Sequence, residues 1–122
     1  MKKLIVITLF LISINSFAQN KTTSNNYYVV LYTIGETWDT TKHYHEQKYF
    51  NEHSAHMSSL RKNKTITIGA RYGNTGMIVI EAKDESAAKA LVNKDIAIQN
   101  KLFKAEVFLF EPFYGGCVKE TP

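Results

Sequence analysis

The sequence predicts an α+β fold in the order strand, helix, strand, strand, helix, strand. Three observations predict it. Four short segments are β-branched and aromatic with alternating polarity, two longer ones carry helical signatures, and a glycine- and asparagine-containing turn joins the two middle strands. The βαββαβ order is the ferredoxin-like plan, an antiparallel sheet with both helices on one face.

The first strand is 27–33 (YYVVLYT), read from its composition. A loop with a glycine, turn residues and the lone tryptophan, Trp38, follows it. The first helix is marked by Phe50, His53, Met57 and Leu60, which fall at i, i+3, i+7 and i+10 on one face, while Asn51, Glu52 and Ser59 fall elsewhere. Segments 65–70 (TITIGA) and 77–82 (MIVIEA) are strands, and 71–76 (RYGNTG) between them has the residues of a hairpin turn, so the two are antiparallel neighbours. Asp84 is an N-cap for the alanine-rich helix that opens at Glu85 and closes at Asn93 and Lys94. An irregular stretch (DIAIQNKLF) leads to the last strand, 104–113, with Pro112 near its end.

The N-terminus reads as a secretory signal peptide over 1–18. Lys2 and Lys3 precede the apolar run Leu4 to Ile14, and Ser16-Phe17-Ala18 has small residues at the cleavage spacing. That run is too short to span a bilayer, so the mature chain is expected in the periplasm or medium, with no membrane contact after the signal is removed. Removing 18 of 122 residues leaves 104, enough for one domain with a modest core. The formal charge falls from +4 to +2 because Lys2 and Lys3 leave, which is not the balance of a nucleic-acid binder. Residues 19–26 (QNKTTSNN) form a polar leader, 27–114 the domain, and 115–122 a tail. The tail's Cys117 is the only cysteine, so no internal disulfide can form.

Alternation across Tyr28, Val30 and Tyr32, with Phe108 and Phe110 in the last strand, makes both faces of the sheet apolar. The helices cover one face, and pairing two copies over the other is the simplest way to bury it, so a homodimer is expected.

Chemistry concentrates on two residues. His53 lies on the apolar stripe of the first helix, and Asp95 follows directly after the second. An ionisable group on a buried stripe must be paired or neutral, which makes the two candidates for one another. Paired, they form an acid/base dyad in which the carboxylate fixes the imidazole tautomer. The alternatives are a core histidine bonded to a backbone carbonyl, and an Asp95 that caps the turn after it.

The chain from Tyr27 to Phe113 resembles the YCII-related proteins. The matching pieces are the first strand, Trp38 and Gln47, FNEHSAHM around His53, TIGA, and MIVIEAKDESAAKALVNKDIAIQNKLFKAEVFLFEPF. Two positions depart from the pattern: Gly69-Ala70 stands where Gly-Pro is usual, and Asp95-Ile96 where Asp-Pro is. The resemblance implies a dimeric α/β barrel of ferredoxin-like monomers, with His53 and Asp95 matching the family's active-site pair.

Of the remaining candidates, Trp38, Tyr32 and Phe108 are expected to bind substrate by lining an apolar pocket between the sheet and the first helix or its loop. Arg71 beside the hairpin, with Arg61, can fork onto a carboxylate. His43 and His45 are two apart and His53 and His56 one helical turn apart, but nothing completes a ligand set, so no metal and no cofactor are expected. These readings describe an exported, cofactor-free enzyme. It would transfer a proton, in an isomerisation or elimination beside a carbonyl, on a small organic acid, lactone or phenolic ligand. A noncatalytic periplasmic module that binds a small ligand or serves to dimerise is the alternative, and a haem-binding or cofactorless monooxygenase barrel is a third.

Overall fold

The computed structural model describes residues 25–116. The expected signal peptide, Cys117 and nearly all of the leader lie outside them.

The chain forms β1 (Asn26–Ile34), a 3-10 turn (Tyr44–Glu46), α1 (Phe50–Lys62), β2 (Ile66–Tyr72), β3 (Thr75–Ala82), α2 (Glu85–Asn93), α3 (Ile96–Gln99) and β4 (Phe103–Leu109). The strands make one antiparallel sheet in the order β2-β3-β1-β4, an α+β arrangement compatible with the ferredoxin-like plan.

Three element boundaries differ from the sequence reading. The hairpin turn is only Gly73-Asn74, because β2 and β3 stay paired out to Tyr72 and Thr75. Gly73 has φ +54, the left-handed value that the first position of a two-residue hairpin loop asks of glycine. The last strand ends at Leu109, opposite Tyr28. Beyond it one bond continues the pairing, Phe110 N to the Tyr27 carbonyl at 2.9 Å, and Pro112 has no N–H to offer. The stretch after Asp95, expected to be irregular, contains the single turn of α3, capped by the Asp95 side chain at Ala97 N.

Register decides which side chains face the helices. Tyr28, Val30 and Tyr32 on β1 stand beside Ile80, Ile78 and Gly76 on β3, and beside Leu109, Val107 and Ala105 on β4. This face, with Ala88 and Val92 of α2 and Met57 of α1 packed on it, is the core, and Val30 and Ile80 are fully buried at its centre. Asp84 caps α2 by accepting the Ala87 N–H at 2.7 Å, as its position implied. No side chain caps α1. It starts from Tyr49, whose φ of 70 is a strained, left-handed value for a bulky residue.

The opposite face carries Ile68, Val79, Val29 and Phe108 in one row across all four strands. Its outer members Ile68 and Phe108 are 41% and 49% exposed, while Val79 within the row is buried.

Candidate active site

His53 is held between α1 and the α2–α3 junction. Its Nδ1 lies 2.5 Å from Asp95 Oδ2, and Asp95 is fully buried. The second carboxylate oxygen, Oδ1, accepts the Ala97 N–H at 2.9 Å. Asp95 is therefore both the cap of α3 and the partner of His53, the two roles that its position left open. An ionised carboxylate only accepts hydrogen bonds, so Nδ1 carries the proton and donates, and Nε2 is left as the basic nitrogen. One turn along α1, His56 Nε2 bonds the Leu91 carbonyl at 3.0 Å. Two histidines three residues apart thus tie α1 to the end of α2 and to Asp95, four residues apart on the facing segment.

His53 and His56 are engaged within the protein, His43 and His45 stack on Tyr44, and no group of three potential ligands exists among the described residues.

Aromatic rings surround the imidazole. Tyr32 meets it edge-on with centroids 5.4 Å apart, Phe103 lies at 4.7 Å and Phe50 at 6.2 Å. The Tyr32 hydroxyl is buried and has no hydrogen-bond partner. Burial, and then the negative charge of Asp95, hold its pKa well above the ordinary value for tyrosine. It is therefore a neutral O–H donor without an acceptor, an arrangement that folded proteins rarely leave without a reason.

Beside this cluster is a cleft of about 660 Å³ lined by Ile34, Trp38, Lys42, Arg71, Phe50 and Phe103, with His43, Tyr44 and Asn74 at its margin. Phe50 and Phe103 also pack around His53, so the same two rings border both dyad and cleft. Lys42 and Arg71 bring positive charge, and no carboxylate lines the cavity. The loop carrying Trp38 and Lys42 is pinned by Gln47, which is buried. Its Nε2 donates to the Asp39 and Lys42 carbonyls at 2.7 and 3.2 Å, and its Oε1 accepts the Asp39 N–H at 3.0 Å.

Of the residues expected to bind substrate, Trp38 and Arg71 line the cleft and Tyr32 touches His53. Phe108 does not join them. It stands opposite Val29 on the uncovered face of the sheet, because β4 turns Phe103, Ala105 and Val107 toward the helices. Arg61 is exposed near the end of α1 and is not among the lining residues. Gln47, Phe50 and Phe103 were not singled out for a role by sequence reasoning. A loop glutamine carries no signal of a triple backbone bond, Phe50 read as part of the first helix's apolar stripe, and Phe103 fell in the irregular stretch before the last strand. No family model, curated protein or solved structure matches the chain.

Proposed function

We propose that the mature chain is an exported, cofactor-free acid–base catalyst of the YCII-related kind. It works as a dimeric α/β barrel on a small organic acid, lactone or phenolic ligand. The observation that carries the chemistry is the 2.5 Å contact between His53 Nδ1 and a fully buried Asp95 whose other oxygen is taken by Ala97. With its orientation and tautomer held, the imidazole presents Nε2 as the base. Nε2 takes a proton from carbon beside a carbonyl. It then returns that proton at another atom, which is isomerisation, or the electron pair expels a leaving group, which is elimination. Asp95 stabilises the imidazolium formed between the two steps. Lys2, Lys3 and the apolar run after them support export, and the apolar row Ile68, Val79, Val29 and Phe108 supports pairing of two copies.

The test has two arms. In long-range ¹H–¹⁵N spectra at neutral pH, His53 should carry its proton on Nδ1, with a far-downfield resonance that disappears in Asp95→Asn. A proton on Nε2, unchanged by that substitution, would end the acid–base reading. In a thermal-shift screen of small acids, lactones and phenols, the stabilising ligand should lose its effect on His53→Ala. Equal stabilisation of both proteins would instead favour the noncatalytic binding module.

A further inference from the structure

Gly76 lies inside β3, where glycine weakens a strand and usually marks a bulge, a bend or the close approach of a ligand or backbone. The first two do not apply. Gly76 pairs in register with both Arg71 and Tyr32, and the one irregularity of the β2–β3 ladder falls between Ile66 and Ile68. Its φ is not left-handed, and a Cβ there would meet only the Tyr32 Cβ, at an ordinary 3.7 Å. Neither backbone geometry nor packing requires glycine at this position.

What the glycine does is leave open space in one row of the sheet. Arg71, Gly76, Tyr32 and Ala105 stand side by side across the four strands, on the face turned to the helices. Arg71 and Tyr32 are thus two strand spacings apart, roughly 10 Å between their backbones, with no side chain between them. At one end is a guanidinium that makes no hydrogen bond or ion pair among the described residues and lines the cleft. At the other is a buried hydroxyl without an acceptor, its ring against His53. The flanking surfaces are flat and aromatic, namely Trp38, Phe50 and Phe103.

We propose that the strip over Gly76 is the binding site for a flat, carboxylate-bearing ligand. Its carboxylate lies on Arg71, its ring lies against Trp38 and Phe103, and in ligands with an oxygen at the far end that oxygen accepts the Tyr32 O–H, benzoate reading the Arg71 end alone. The inference rests on the acid–base reading for the role of His53, and it names the substrate class of that site. Arg71 gives paired N–H donors matched to a carboxylate, and no acid lines the cleft, the other lining cation, Lys42, being paired with Asp39 at 3.6 Å. The Tyr32 O–H then supplies the hydrogen bond that a carbonyl or phenolic oxygen at the opposite end of the ligand requires. An aromatic or conjugated acid of benzoate size or slightly larger spans this distance.

Trp38, the only tryptophan, reports directly on the cleft. Titration with benzoate should change its fluorescence saturably, whereas benzyl alcohol, similar in shape and neutral, should leave it unchanged. Arg71→Gln should weaken benzoate by roughly tenfold or more. Gly76→Val should abolish binding while keeping the melting temperature at or above wild type, since a β-branched residue suits a strand interior. Should Gly76→Val fail to fold, Gly76→Ala should still weaken benzoate with wild-type circular dichroism. Benzoate and benzyl alcohol binding alike, neither binding, or full binding by a folded Gly76 variant would overturn the assignment. These readouts are separate from the test of the dyad. Benzoate binding is judged on the Arg71 and Gly76 variants and the dyad on the Nδ1 tautomer, so loss of the acid–base reading leaves the site standing. A correct Nδ1–H tautomer with no benzoate binding removes the site alone.

Discussion

Tyr32 carries the least balanced local energetics of the molecule: a phenol 93% buried, beside a buried carboxylate, with its hydroxyl unpartnered. Removing such a hydroxyl relieves a desolvation cost of about 1–3 kcal/mol without breaking a bond. Tyr32→Phe should therefore be at least as stable as wild type at neutral pH in denaturant titration, and it should bind ligand less well. The pH dependence has a definite sign. The folded pKa is raised above the ordinary 10.0, so the unfolded chain releases the Tyr32 proton first as pH rises. The stability tied to that proton is fully present below pH 10 and is lost as pH rises through 10 toward the folded value. The melting-temperature difference between wild type and Tyr32→Phe should be constant up to about pH 9 and grow above 10, with wild type falling faster. Parallel curves across that range would mean that Tyr32 is not held neutral by its surroundings.

At the scale of elements, the site depends on how the loop after β1 meets the segment after α3. Gly35 N donates to the Leu102 carbonyl at 2.8 Å, Thr37 N to Lys101 O at 3.1 Å, and Thr37 Oγ1 to Asn100 O at 2.9 Å. A Cβ at Gly35 would lie 2.1 Å from the Lys101 carbonyl oxygen, far inside contact distance and against backbone that cannot step aside. Gly35→Ala should therefore cost on the order of 2 kcal/mol in chemical denaturation. It should also displace the Trp38 loop from α3, which carries Asp95 at its start. Gln47→Ala acts on the far side of the same loop by freeing the Asp39 N–H and two carbonyls. It should speed hydrogen exchange at Asp39 with a smaller loss of stability, about 1 kcal/mol, because these groups regain water. An unchanged Asp39 exchange rate would show that Gln47 does not hold the loop.

For the whole molecule, the consequence is assembly. The row Ile68, Val79, Val29 and Phe108 puts apolar side chains across the sheet face opposite α1 and α2, and its exposed members Ile68 and Phe108 are of the kind a partner or a ligand buries. Wild-type mature protein should scatter light at twice its chain mass. Phe108→Glu, which places a charge at an exposed position of that row, should shift it to the monomer with its circular dichroism intact. A wild-type monomer at micromolar concentration would count against the proposed barrel.

Features governed by neighbouring residues were legible in the chain. The apolar period through Phe50, His53, Met57 and Leu60, the Asp84 cap and the hairpin between the two middle strands are each set within a few residues and are present in the structure, the hairpin with a shorter turn than 71–76. The proximity of His53 to Asp95, 42 positions apart, was expected from the cost of burying a charge and from the family resemblance, and the 2.5 Å contact agrees with it. The face presented by β4 was not legible. Its alternating sets Phe108-Phe110 and Val107-Leu109 are both apolar, so a period of two does not say which set turns inward until the register with β1 is known. The same holds for Gly76, the Tyr32 hydroxyl and Gln47. An open strip, an unpaired donor and a triple backbone bond are relations between segments far apart in the chain, and only packing brings them together.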